Sequence, residues 1–311
     1  MGITHFDEAP AADFELGHIQ GHWTDLGRAA GSVTVGVRRI QVPAGRWSTP
    51  AHEHGRDEEI FFVLSGQGLS WQRGVTSEIG AGDCIVYLAG RGAHSLHAIE
   101  ALDVLAFGTR HRDEAVGFPR LELSLVGRRV VESSPGAIDG APIQFVREAE
   151  LGPPELSDPA GNRPGTIVNL DAVEPAPFGQ GRVASQRRDL GRAAGSQQTG
   201  LKHLEVEAGH PATPAHCHSR EEEIFVILSG DGTLVLGEEE SAVRSGHVIA
   251  RPAGTGVAHR LAAGAGGLTF LAYGTREPDD MCYYPHSNKI SFRGLGVVGR
   301  IERLDYWDGE G

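Results

Sequence analysis

A chain of 311 residues is about twice the usual domain length, so two domains are expected, each able to bury a core without disulfide or metal staples. Its 28 Lys and Arg against 41 Asp and Glu leave a formal net charge of −13, which disfavours a nucleic-acid backbone or an anionic membrane surface as partner. Apolar content of 40% with 22% charged residues is ordinary for a globular protein, and no apolar run approaches the roughly 18 residues of a membrane span, so no bilayer crossing is expected.

The first residues, Met1 to Glu8, show neither a basic segment nor an apolar one, so no secretory signal is expected. Cys84, Cys217 and Cys282 are odd in number and have no Cys-x-x-Cys spacing, which argues against a disulfide framework or a thiolate zinc site and for a reducing, cytoplasmic setting. Lys202 and Lys289 are the only lysines, whereas fifteen histidines offer ample imidazole for metal ligation. Along the first half, Val33–Val37, Ile60–Leu64, Cys84–Tyr87 and Val104–Phe107 read as short strands separated by glycine turns. No segment predicts an amphipathic helix of three turns, and the pattern predicts an antiparallel β-barrel. The Pro- and Gly-rich stretch from Leu151 to Gly165 reads as an irregular connector.

The second half then repeats the first. Asp25-Leu26-Gly27-Arg28-Ala29-Ala30-Gly31-Ser32 returns 164 residues on as Asp189-Leu190-Gly191-Arg192-Ala193-Ala194-Gly195-Ser196, and the offset carries Pro50 to Pro214 and Gly82 to Gly246. Ile3 to Asp7 is shadowed by Ile167 to Asp171, and after a slip of one or two residues Gly108-Thr109-Arg110 is answered by Gly274-Thr275-Arg276. A period this long predicts a tandem duplication of a whole domain. The expected division is a first barrel over 1–130, a connector over 131–165, and a second barrel with a C-terminal tail over 166–311.

Both copies contain Gly-x6-His-x-His-x4-Glu-x6-Gly, as Gly45, His52, His54, Glu59 and Gly66 and as Gly209, His216, His218, Glu223 and Gly230. Histidines two apart on a strand face the same side and can share one ion. The glutamate has the wrong parity for that strand, but Gly55-Arg56-Asp57 or Ser219-Arg220-Glu221 can turn the chain and bring it in from a neighbour. A later histidine follows in each copy, His94 and His259. His97 rivals His94 but lies on the opposite strand face, and Glu58 and Glu222 rival the next glutamates but break the six-residue gap to the glycine. Phe61, Val63, Phe225 and Ile227 have inward parity and predict an apolar pocket wall. Cys217 should point away from its histidine neighbours. Arg28 and Arg192 read as part of a structural turn, with anion binding as the alternative. Tyr283, Tyr284, Tyr306 and Trp307 are expected to pin the tail onto a barrel or a partner subunit.

These motifs resemble the two motifs of the cupin superfamily, and their double occurrence resembles a bicupin. The resemblance implies an all-β fold of two tandem antiparallel β-barrels of the double-stranded β-helix or jelly-roll kind. It places metal ligands at His52, His54, Glu59 and His94 in the first barrel and at His216, His218, Glu223 and His259 in the second. One departure is that Leu88 stands where cupins usually have proline, and three residues separate Gly90 from His94 against four between Gly254 and His259. Three imidazoles and a carboxylate suit one divalent transition metal per barrel, with iron or manganese favoured over zinc or nickel, and leave about two of six positions open. The leading expectation is a metal-dependent dioxygenase acting on a small aromatic or enolic acid. The alternatives are a non-redox lyase, decarboxylase or isomerase, and a non-catalytic ligand-binding or storage protein. A homo-oligomer is compatible with the sequence.

Overall fold

A computed structural model describes residues 2–310 apart from 127–128, 133–136 and 139–142. Met1, Gly311 and those parts of the predicted domain ends and connector lie outside the described residues. Each half is a jelly roll of antiparallel strands. The larger sheet of the first half runs, in spatial order, Ile167–Asn169, Asp83–Tyr87, Glu59–Ser65, Leu102–Thr109, Val35–Val42, Ile19–Thr24 and Ala11–Leu16. Against it lies a three-stranded sheet of His94–Ala98, Gln67–Gln72 and Val75–Gly80. In the second half the corresponding sheet runs Ile3–His5, His247–Arg251, Glu223–Leu236, His259–Thr275, Thr199–Val206, Ser185–Asp189 and Ala176–Phe178. The hydrogen-bonded sheets have open edges, so each predicted barrel is of the jelly-roll kind, two layers rather than one continuous cylinder.

The last glycine of each repeated motif makes the bend between layers. Gly66 and Gly230 sit at φ +90° and +79°, and a Cβ there would lie 2.0 Å from the Ala101 carbonyl oxygen or 2.2 Å from that of Gly267. Glycine alone tolerates both the left-handed backbone and the close approach.

Apolar residues line both faces of the central strands, and the two faces bury against different things. Phe61, Val63, Ile85, Leu96 and Val104 fill the interior of the first jelly roll, and Phe225, Ile227, Ile249, Leu261 and Phe270 that of the second. The alternate residues, Ile60, Phe62, Leu105 and Phe107 of one half and Ile224, Val226, Leu271 and Tyr273 of the other, form one shared core between the halves. The Phe107 and Tyr273 rings meet there with centroids 4.9 Å apart. A strand buried on both faces explains why Ile60–Leu64 is an unbroken apolar run rather than an alternating one.

The halves also exchange their first strands. Ile3–His5 pairs with His247–Arg251, and Ile167–Asn169 pairs with Asp83–Tyr87. The matching pentapeptides at the start of each repeat are thus one element, donated by each copy to the other's sheet. Within the predicted connector, Ile143–Leu151 forms a helix of 9 residues, held by an ion pair of its buried Glu148 with Arg120, and the chain from Gly152 to Pro159 is irregular.

Candidate metal centres

His54 belongs to the short strand Glu53–His54, Glu59 opens the strand Glu59–Ser65, and the turn between them reverses the parity that kept the two apart in sequence. His94 lies directly opposite His52 in an antiparallel bridge, with His52 N donating to His94 O at 3.2 Å and His94 N to His52 O at 2.8 Å. Leu88 and the shorter Gly90 spacing do not displace it. The ligand atoms of His52, His54, Glu59 and His94 lie within 4.8 Å of one another. Glu59 Oε2 is 3.8, 3.4 and 3.0 Å from the Nε2 atoms of His52, His54 and His94.

The second half reproduces this arrangement. Glu223 Oε2 is 3.9, 3.5 and 3.0 Å from the Nε2 atoms of His216, His218 and His259, and His216 and His259 form the same bridge. His216, Glu223 and His259 converge within 4.8 Å, while His218 also groups with His216 and Cys282. Cys282, which stands opposite His218 on the neighbouring strand, is a donor the sequence did not single out. Burial pushes its thiol up to about 12. Cys217 is a buried free thiol, as expected, and burial raises it as well.

The outer nitrogens of three of these rings are held by hydrogen bonds, and that of a fourth faces a carboxylate. His52 Nδ1 bonds to the Pro50 carbonyl at 2.9 Å, His216 Nδ1 to that of Pro214 at 2.8 Å, and His218 Nδ1 to Asp280 Oδ2 at 2.7 Å. His54 Nδ1 is 3.4 Å from Glu114 Oε1. Fixing a proton on Nδ1 leaves Nε2 as a lone-pair donor. Burial works to raise the Glu59 carboxyl, yet His54, His52 and His94 hold it well below the usual carboxylate range. Burial opposes charge on His54 too, but Glu59 and Glu114 lift it to about 10, whereas burial drives His94 and His216 down to about 4.

This donor set fits a divalent cation. Ligands about 2.1 Å from one ion sit about 3 Å apart when adjacent, the spacing of His94 and His259 from their glutamates. His54 Nε2, His259 Nε2 and Glu223 Oε2 are buried without a hydrogen-bond partner among the described residues. Such atoms are costly unless something other than a proton satisfies them.

The rival residues have other work. His97 packs on Trp47, with centroids 5.2 Å apart. Glu58 reaches into the other half, accepting from Ser196 Oγ, from the Gln197, Gln198 and Thr199 amides and from Thr199 Oγ1, and Glu222 accepts from the Val33 and Thr34 amides and Thr34 Oγ1. Asp25 and Asp189 cap one-turn helices, the turn expected around Arg28 and Arg192, although Arg28 also lines the first cup and Arg192 a cavity adjoining the second. Of the two alternatives for the aromatic tail, packing onto a barrel does not hold for Tyr306 and Trp307, which are 84% and 72% exposed and contact each other, while Tyr284 does stack near His216 at 5.8 Å.

Sequence reasoning missed the carboxylates behind the histidines. Glu114 accepts from the Gly55, Arg56 and Asp57 amides, and Asp280 from those of Arg220 and Glu221. Each stands four residues past the arginine of the repeated Gly-Thr-Arg, which was the available signal. Also missed were the cup cations. Phe61 lines the first cup, as its parity predicted, with Arg38 and Arg110, in a cavity of about 380 Å³. Phe225 lines the second with Arg187 and Lys202, in a cavity of about 180 Å³. Val63 and Ile227 lie deeper, in the cores.

Comparison with known proteins agrees with the geometry. The cupin domain family matches residues 38–106 and 202–272, one span in each half. The oxalate decarboxylase of Lactobacillus farciminis superposes with a TM-score of 0.59 at 13% identity, covering 90% of this chain and 88% of that one. The oxalate decarboxylase of Bacillus subtilis gives 0.57 at 14% identity over 90% and 78%. A putative sugar phosphate isomerase from Acidithiobacillus ferrooxidans is 28% identical over 39% of this chain and 83% of its own, with a TM-score of 0.36. Among curated proteins no sequence relative matches. Each half thus carries one cupin domain, and the chain is a bicupin.

Proposed function

We propose that this bicupin is a metal-dependent, non-redox lyase of the decarboxylase type that acts on a small organic acid. One divalent cation, Mn(II) preferred, would be held by His52, His54, Glu59 and His94, and another by His216, His218, Glu223 and His259. The observation that carries the reading is shared by both halves: the cluster of three imidazoles and one carboxylate faces a wall cation, Arg38 or Lys202, with no acidic partner among the described residues. In an acidic chain, such a cation in a cup is an anion anchor. The fold shared with a Bacillus subtilis oxalate decarboxylase described with Mn(II) centres supports this metal and this reaction class ahead of the dioxygenase reading.

A bound cation would supply Lewis acidity to a substrate oxygen. The chain's own residues do the rest. Arg38 and Lys202 hold the carboxylate, His52 and His216 are fixed by backbone carbonyls so that their Nε2 atoms stay in place, and Phe61 and Phe225 keep water from the uncharged CO2 that leaves. The test is turnover of a panel of small organic acids by Mn(II)-loaded protein under strict anaerobiosis. CO2 release without oxygen is the expected result. Turnover that stops without oxygen and consumes it stoichiometrically overturns the reading in favour of a dioxygenase, and acids bound but unchanged overturn it in favour of storage.

A further inference from the structure

The larger sheets of the two halves can be read position by position, because residues paired across antiparallel strands share a face. In the first half one row across the inner face is Phe61, Ala106 and Arg38, and the row beside it is Val104, Ile40 and Trp23. In the second half the same rows are Phe225, Ala272 and Lys202, and Phe270, Leu204 and Arg187. Arg38 is thus answered by Lys202, and Trp23 by Arg187. Of the cations lining the first cup, Arg28 and Arg110 are placed against Asp25, and Arg38, lying over an indole ring at 5.7 Å, is the one with no ion pair among the described residues. Of those lining the second, Arg293 is bonded to Glu221, which leaves two such cations, Arg187 and Lys202, on neighbouring strands.

The acidic groups facing those two cations are already engaged. Asp189 is paired directly across from Lys202, but its carboxylate caps the Arg192 amide at 3.1 Å and lies 3.9 Å from Arg276. Glu221 is bonded to Arg293 and to the Glu277 amide. Glu223 belongs to the histidine cluster. Arg187 and Lys202, both half-buried, have no ion pair among the described residues, and the Phe178 ring holds the Arg187 guanidinium at 4.7 Å. Both cations also line an adjoining cavity of about 250 Å³, so the charge continues beyond the ligand cluster.

We propose, on the reading of His216, His218, Glu223 and His259 as metal ligands, that the second cup selects a compact dianionic acid. One anionic group sits at the histidine cluster, and the second is gripped by Arg187 and Lys202. The second group is a carboxylate or a phosphoryl group, since a guanidinium fork and an ammonium suit both. The first cup, with Trp23 in place of Arg187, takes an acid with one anionic group and an apolar remainder. The sequence thus encodes two cups of different specificity on one set of ligands.

Calorimetric titration of Mn(II)-loaded protein tests this without turnover, so its outcome is separate from that of the decarboxylase reading. In a His52→Ala background only the second cup carries metal; there, succinate is expected to bind at least about tenfold tighter than butyrate, which has the same length and lacks the far carboxylate. The preference is expected to vanish in Arg187→Trp and to fall in Lys202→Met, and Arg187→Gln serves where the tryptophan variant does not fold. In a His216→Ala background, which leaves the first cup, the preference should be absent. A titration with 3-phosphonopropionate separates the two sources of the far charge: tighter binding than succinate assigns a phosphoryl acid, weaker a dicarboxylate. Equal affinities of succinate and butyrate in the second cup, or a preference that survives both substitutions, overturn the proposal.

Discussion

Opposite Glu59 on the next strand stands Tyr87, whose ring stacks on His94 with centroids 3.9 Å apart; opposite Glu223 the same position holds Arg251. Phe118 lies over His52 at 6.1 Å where Tyr284 lies over His216 at 5.8 Å, and Glu114 backs His54 where Asp280 backs His218. The inner ring of donors has been kept at nearly identical separations while almost everything around it has changed. Duplication followed by divergence of the walls has this form: the chemistry of the centre tolerates little, and the specificity of the cup is set by residues two strands away.

The sharpest way to break the comparison is to remove one centre at a time. His52→Ala and His216→Ala are each expected to lower metal content by about half, read by elemental analysis of the purified full chain, and the double variant to lose nearly all of it, because separate sites add. If the double variant retains full metal, the donor sets are misassigned. If one single variant loses everything, the two halves are not independent.

The halves agree in where a proton rests when the metal is absent, since His54 and its counterpart His218, though burial opposes their charge, are both raised by neighbouring carboxylates. In the first cup the raised His54, at about 10 against its ordinary 6.5, is protonated beside an ionised Glu59. A basic group raised by folding stabilises fully below its unfolded pKa and loses that contribution as pH climbs to the folded value. Metal-free protein should therefore lose stability between about pH 6.5 and 10, by up to about 1.4 kcal/mol per pH unit, as followed by urea unfolding. His54→Gln should lessen the slope, leaving the part due to the likewise raised His218, and bound metal, which displaces the protons, should flatten it in the parent. A metal-free curve that is level across this window would show that His54 is neutral there.

Much of this was legible in the sequence, and the reason is physical. Side chains that converge from strands must sit at fixed spacing, so the clustering of His52, His54, Glu59 and His94 and of their counterparts leaves a pattern that survives without neighbours to compare. Strand content was legible for the same reason. The exchange of Ile3–His5 and Ile167–Asn169 was visible only as a repeated pentapeptide, since sequence similarity marks an element as equivalent without saying whose sheet it joins. Glu58 and Glu222 looked like spare ligands because a hydrogen bond to the other half leaves no local spacing. The jelly-roll architecture was legible because short strands separated by glycine turns recur in both halves. Tyr306 and Trp307 were expected to pin the tail onto a barrel or a partner subunit, and residue type sets the gain from burial without saying which surface supplies it.

The smallest expected effect is the most discriminating, because it compares the halves at a single atom. A carboxylate that accepts from the outer nitrogen of a metal-binding histidine fixes the ring and raises its basicity, and losing such a partner typically weakens metal binding 10- to 100-fold. Asp280 is only 1% exposed and meets His218 Nδ1 at 2.7 Å, while Glu114 stands 3.4 Å from His54 Nδ1, beyond a good hydrogen bond. Both also hold the turn that leads to the ligand glutamate. Asn at 280 keeps the shape and an acceptor oxygen but removes the charge that draws the proton to Nδ1. Asp280→Asn is therefore expected to weaken metal binding at the second centre about tenfold, measured by chelator competition, with Glu114→Gln costing the first centre only about two- to threefold. Equal losses at the two centres would mean that the carboxylates act by holding the turns, where their amide contacts are alike, and that the difference in reach to the imidazole is without effect.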